Sequence, residues 1–118
     1  MESKVKKYAF DILESLNAIL NYTTDLSYED FASQRMLRKA VEREFEIIGE
    51  AMNRINKIDP DVPVSNKRAI INMRNKVIHG YDMVEDIVVW STIDKLPLLK
   101  KEIQKILEDY SQDKGLNI

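Results

Sequence analysis

The sequence predicts an all-α protein, an antiparallel up-down bundle of four or five helices that dimerises. Two observations carry this. Only 3 Gly and 3 Pro occur in 118 residues, too few punctuating residues for many short strands. Apolar residues instead recur three and four apart over long stretches, which puts them on one face of a helix. The length fits one domain, expected over residues 1–110, with a flexible polar tail over 111–118.

The first helix is expected from about Lys4 to Tyr22, with Val5, Tyr8, Ala9, Ile12, Leu13, Leu16, Ile19 and Leu20 on its apolar stripe. Thr23-Thr24-Asp25 ends it. Ser27 precedes Glu29 and Asp30 and reads as an N-cap with acids in the first turn. From there one long helix is expected to about Asn56, striped by Phe31, Met36, Leu37, Ala40, Val41, Phe45, Ile48, Ala51, Met52 and Ile55. Gly49 lies inside it. An interior glycine costs about 1 kcal/mol against alanine, so it marks either a close helix–helix approach or a tolerated small residue.

Pro60 and Pro63 break the chain. A third helix is expected over about Asn66–Ile78, capped by Ser65, with Gly80 at its C-terminal end. A fourth is expected from about Met83 to Tyr110, capped by Asp82 and kinked or split at Pro97. Its stripe is broad. Ile87, Val88 and Trp90 together exceed what one small bundle needs, which suggests an association face and a two-fold dimer.

Composition excludes several functions. The chain has no Cys and one His, so it offers no disulfide, thiol nucleophile or convincing zinc set. No metal site and no cofactor are expected. It carries no glycine-rich phosphate loop. No apolar run approaches the roughly 20 residues that span a bilayer, and no signal-peptide pattern is present, so a cytoplasmic protein without a membrane partner is expected. The net charge of −2 argues mildly against a nucleic-acid binder. The local distribution argues the other way. Lys67, Arg68, Arg74 and Lys76 fall between Val64 and Tyr81 with no acid among them.

Chemistry is therefore sought around His79. Asn75 and His79 are four apart and share a helix face. Arg74 and His79 are five apart, about 140° round an ideal helix, so they converge only from a groove edge or across a helix end. Gly80 at such an end lets the backbone bring Tyr81 back toward them. The residue types suit phosphodiester cleavage. An imidazole takes a proton from a ribose 2′-hydroxyl or returns one to a leaving oxygen. A guanidinium stabilises charge building on the phosphate. One imidazole does not easily serve as base and acid in the same step, which favours a site composed from two subunits. A lone histidine near a helix end also serves simply as a cap or a satisfied interior residue.

The string Arg74-Asn75-Lys76-Val77-Ile78-His79-Gly80-Tyr81 contains Arg-x4-His-x-Tyr, which resembles the signature of HEPN domains, the HepT-like branch in particular. Ile48-Gly49-Glu50-Ala51, Val89-Trp90 and Leu96-Pro97 are similar to strings of the same branch. The likeness extends from about Lys4 to Asp109. It implies a dimerising bundle, or a higher even oligomer, with the signature segments facing across a cleft. It implies a metal-independent endoribonuclease toxin of a type VII-like toxin–antitoxin pair, acting on RNA. The partner it implies is a minimal nucleotidyltransferase that neutralises the toxin by adenylylating the motif tyrosine, here Tyr81. On this resemblance Arg74 and His79 are catalytic, and Asn75 and Tyr81 supporting. Glu50 and Lys76 are candidate cleft residues, although Gly49 and Glu50 serve equally as packing positions. The competing expectation is a non-catalytic HEPN module that binds a nucleotide or the nucleotidyltransferase.

Overall fold

The computed structural model describes the backbone of residues 2–78 and 86–116 and the side chains of residues 4–74 and 86–109. Among these residues the regular structure is entirely helical. Six helices follow in order: α1 (Glu2–Tyr22), α2 (Tyr28–Ser33), α3 (Arg35–Ile58), α4 (Lys67–Ile78), α5 (Asp86–Ile93) and α6 (Leu96–Leu116). α1 packs between α3 and α6. α4 lies against α3, and α2 bridges α3 and α5. No described helix is long and apolar enough to cross a membrane.

The expected all-α class holds, with more helices than foreseen. One extra element arises because the long helix expected from Tyr28 breaks at Gln34, whose backbone is extended at φ −113 and ψ 99. No Pro or Gly marks that point. What holds the break is tertiary. The Arg38 guanidinium donates to the Ala32 carbonyl and its Nε lies 3.5 Å from the Asp86 carboxylate on α5. The second split falls at Asp94-Lys95, just before Pro97. Pro97 thus sits in the first turn of α6, where its missing N–H is not needed. α6 runs to Leu116, beyond the boundary expected at Tyr110.

Local chemistry explains the other ends. At the end of α1, Thr23 Oγ1 donates to the Ile19 carbonyl at 2.8 Å, beside the Thr23 N–H on the same oxygen. Thr24 Oγ1 donates to the Leu20 carbonyl at 2.7 Å, satisfying an acceptor the helix leaves open. Asp25 then reverses the chain at φ 61. Ser27 forms the expected cap as a full capping box. Asp30 N–H donates to Ser27 Oγ at 3.1 Å, and Ser27 N–H donates to the Asp30 carboxylate at 3.0 Å. Ser65 is used differently from its expected role. Its hydroxyl and amide donate to the Glu102 carboxylate on α6 at 2.8 and 3.0 Å, tying the α3–α4 connection to the last helix. Val62 and Val64 are buried beside this link. The expected caps at Gly80 and Asp82 lie outside the described residues.

The core joins Ile12, Leu16 and Ile19 of α1, Phe45, Ile48, Met52 and Ile55 of α3, Ile70 and Met73 of α4, and Leu99, Ile103 and Ile106 of α6. Trp90 does not stand out as a free association surface. Its ring packs 5.2 Å from Phe31 and 6.3 Å from Tyr28, centroid to centroid, docking α5 on α2. Val88 also packs on the core. Of the apolar trio expected at an association face, Ile87 remains exposed.

Candidate functional site

The site begins where α3 crosses α4. A Cβ placed on Gly49 would lie 2.0 Å from Arg74 Cβ, 2.8 Å from Arg74 Cγ and 3.1 Å from the Ile70 carbonyl oxygen. Any side chain at position 49 would collide with the stem of Arg74. The glycine is therefore the close-approach residue of the two readings open on sequence alone. It lets α4 settle on α3 so that the Arg74 stem crosses the α3 backbone.

The head of Arg74 then meets the next residue of α3. Arg74 donates through Nη2 to Glu50 Oε2. Glu50 Oε1 accepts from Arg54 Nε at 2.9 Å. One carboxylate thus anchors two guanidinium groups. Arg54 sits one turn along α3, and Arg74 comes from the helix that carries the Arg-x4-His-x-Tyr string. The Arg74 side chain is 24% exposed and that of Glu50 36%. In such a part-buried setting the charge-assisted contact is worth more than a surface pair. The Glu50 carboxylate, and after it Tyr8, raises the Arg54 guanidinium above its already high ordinary pKa. The Arg54 guanidinium lies 5.9 Å from the centroid of the Tyr8 ring on α1, within cation–π range.

Around this cluster α1, α3 and α4 leave an open groove of about 450 Å3, lined by Tyr8, Asp11, Arg43, Glu46, Ile47, Glu50, Ala51, Arg54 and Arg74. A second hollow of about 470 Å3 shares Tyr8, Glu50 and Arg54 and adds Lys4, Lys57 and Ile58. Periodicity could have found this wall. Arg43, Glu46, Ile47, Glu50 and Arg54 recur three and four apart beside the apolar stripe of α3. On the sequence alone these positions look like an ordinary solvated flank of α3, and of them only Glu50 falls in a string that carries the family resemblance.

Of the sequence-derived site residues, Arg74 and Glu50 are brought together. Asn75 and Lys76 lie in α4, and their side chains are outside the described set. His79 and Tyr81 lie outside the described residues altogether. Lys67, part of the basic stretch, donates to the Pro60 carbonyl at 2.7 Å, and Arg68 is exposed.

A helical bundle with an arginine seated over a glycine can belong to many proteins, so the family matters. The profile described as "Ribonuclease HepT-like" matches residues 12–106. The chain belongs to the HepT-like ribonuclease family. Among the proteins it is similar to is one of Methanocaldococcus jannaschii named "Putative RNase". It is 36% identical over 110 residues, spanning 92% of this chain and 95% of the relative. A second protein of that organism and that name is 37% identical over 107 residues, spanning 89% and 88%. The protein named "Probable ribonuclease HepT" from Thermococcus cleftensis is 34% identical over 111 residues, spanning 90% and 98%. No solved structure matches the chain.

Proposed function

We propose that this HepT-like protein is an endoribonuclease that cuts RNA through the ribose 2′-hydroxyl without a metal ion. In this reading it is the toxin of a type VII-like toxin–antitoxin pair. The observation that carries the reading is the seating of Arg74. A cation from the signature string is held at a groove by Glu50, in the gap left by Gly49.

The chemistry assigns His79 as the base that removes the 2′-hydroxyl proton. The 2′-oxygen attacks the adjacent phosphorus, and the bond to the 5′-oxygen breaks. The products are a 2′,3′-cyclic phosphate and a 5′-hydroxyl. Arg74 holds the non-bridging oxygens as their charge grows. A protonated His79 from a second subunit supplies the proton to the leaving 5′-oxygen. That is why a homodimer belongs to the proposal. Asn75 and Tyr81 support the pair, and Lys76 adds a cation beside it.

The proposed antitoxin is a minimal nucleotidyltransferase. It transfers an adenylyl group from a nucleoside triphosphate to the Tyr81 hydroxyl and releases pyrophosphate. The added phosphodiester beside Arg74 and His79 competes for the anion site and repels RNA.

The test uses protein freed of adenylyl groups and incubated with RNA in a chelator. Cleavage is expected from the wild type and lost in His79→Ala and Arg74→Ala variants that keep the helical signal of the native fold. Undiminished cutting by His79→Ala removes His79 from the mechanism. The net charge of −2 favours the rival reading, a non-catalytic module that binds a nucleotide or the nucleotidyltransferase. Absence of cleavage together with tight partner binding would select it.

A further inference from the structure

The two hollows described above meet at the same three residues, Tyr8, Glu50 and Arg54. Together their linings hold five cations against three acids, in a chain whose net charge is −2. This is a local reversal of sign along the α1–α3 face, and it starts at Arg74. We propose that the face is the track for single-stranded RNA leading away from the cutting site, with the Arg54–Tyr8 pair as a base-stacking platform. The proposal rests on the ribonuclease reading and extends it to the substrate's path.

Three features support the assignment. The Arg54 guanidinium is held on one side by the Tyr8 ring and at its Nε by Glu50. Its side chain is nevertheless 54% exposed. A half-exposed guanidinium beside an aromatic ring offers two planar groups to a base, and such planes stack on unpaired bases regardless of their identity. Beyond the platform, Lys4 and Lys57 line the second hollow and offer charge to the phosphates of the same strand. The Glu50 carboxylate that orients Arg54 also orients Arg74. A strand stacked at one guanidinium is thereby registered against the other. A base buried in a duplex cannot reach such a platform, so the track selects unpaired RNA.

The test measures fluorescence anisotropy of a labelled 2′-O-methyl oligonucleotide of about ten nucleotides, which the proposed chemistry cannot cut. The full chain, freed of adenylyl groups, is compared with Arg54→Gln, Tyr8→Leu and Lys57→Gln across a series of salt concentrations. Lys105→Gln, at an exposed position on α6, is the control. Thermal melts verify folding, and Arg54→Lys serves as the milder variant if Arg54→Gln melts early.

Arg54→Gln and Tyr8→Leu are expected to weaken binding about tenfold. The salt slope should fall by about 0.7 for each phosphate that is no longer neutralised, in Lys57→Gln but not in Tyr8→Leu. The control should bind like the wild type, and a duplex of the same sequence more weakly. Unchanged affinity in the Tyr8 and Arg54 variants, or equal weakening in the control, overturns the track. Cleavage of ordinary RNA is read in parallel. If the wild type cuts and the groove variants bind and cut equally well, the track falls and the nuclease stands. If nothing cuts but the groove variants lose binding, the nuclease reading falls and the track survives as a binding surface.

Discussion

Gly49→Ala is the sharpest perturbation the structure offers. On an isolated helix alanine is favoured over glycine by about 1 kcal/mol, so the substitution should stabilise α3. The crossing with α4 reverses that sign. The new Cβ would stand 2.0 Å from Arg74 Cβ and 3.1 Å from the Ile70 carbonyl oxygen. Neither atom is the free end of a flexible side chain, so the helices must part. Opening the first contact beyond 3.0 Å moves the Arg74 turn by roughly 1 Å. Overpacking of this kind costs about 1–3 kcal/mol. Set against the alanine gain of about 1 kcal/mol, the net destabilisation expected is about 0–2 kcal/mol, a fall in Tm of up to about 8 °C for a chain of this length. The same displacement moves Arg74 relative to Glu50, and a 1 Å misplacement of a positioning group costs about a hundredfold in rate. Circular dichroism melts and an RNA cleavage assay on the same preparation read both effects. A variant that melts higher than the wild type and cuts RNA equally well would refute the reasoning about the α3–α4 crossing.

Other outcomes follow from neighbouring interactions. Glu50→Gln preserves shape but removes the charge shared by Arg54 and Arg74, so cleavage is expected to drop about tenfold in kcat/KM. A purely structural glutamate would lower only Tm. Glu102→Ala releases the amide and hydroxyl of Ser65, and differential scanning calorimetry should show a destabilisation of about 1–2 kcal/mol with cleavage intact. Ser27→Ala breaks the capping box of α2 and should cost about 1 kcal/mol, visible as a small shift in urea midpoint.

Much of this fold is written in local pattern. The stripes of α1 and α6 and the prolines at 60 and 63 mark their elements because burial on one face demands a 3.6-residue period. The break at Gln34 is invisible locally. The surrounding residues all accept a helix, and the turn is held by Arg38 reaching Ala32 and Asp86. Ser65 resembles a cap, yet its hydrogen bonds go to a residue 37 positions away. The candidate site divides the same way. Arg74 is legible from its string, and Gly49-Glu50 from its short resemblance. Their pairing is not, because it depends on where two helices cross. Arg54 stays hidden because a polar stripe beside an apolar one reads as ordinary solvated surface until a neighbouring helix turns it into a groove, and Tyr8 reads as one more member of the α1 apolar stripe.

The account stands or falls on Arg74 and His79 acting at one phosphodiester through the neighbouring 2′-hydroxyl. Mass spectrometry of the RNA ends left by the unmodified protein in chelator tests this most directly. The account predicts 2′,3′-cyclic phosphate and 5′-hydroxyl ends that vanish in the Arg74→Ala and His79→Ala variants. Products ending in 3′-hydroxyl and 5′-phosphate, or cyclic ends undiminished in either variant, would contradict it.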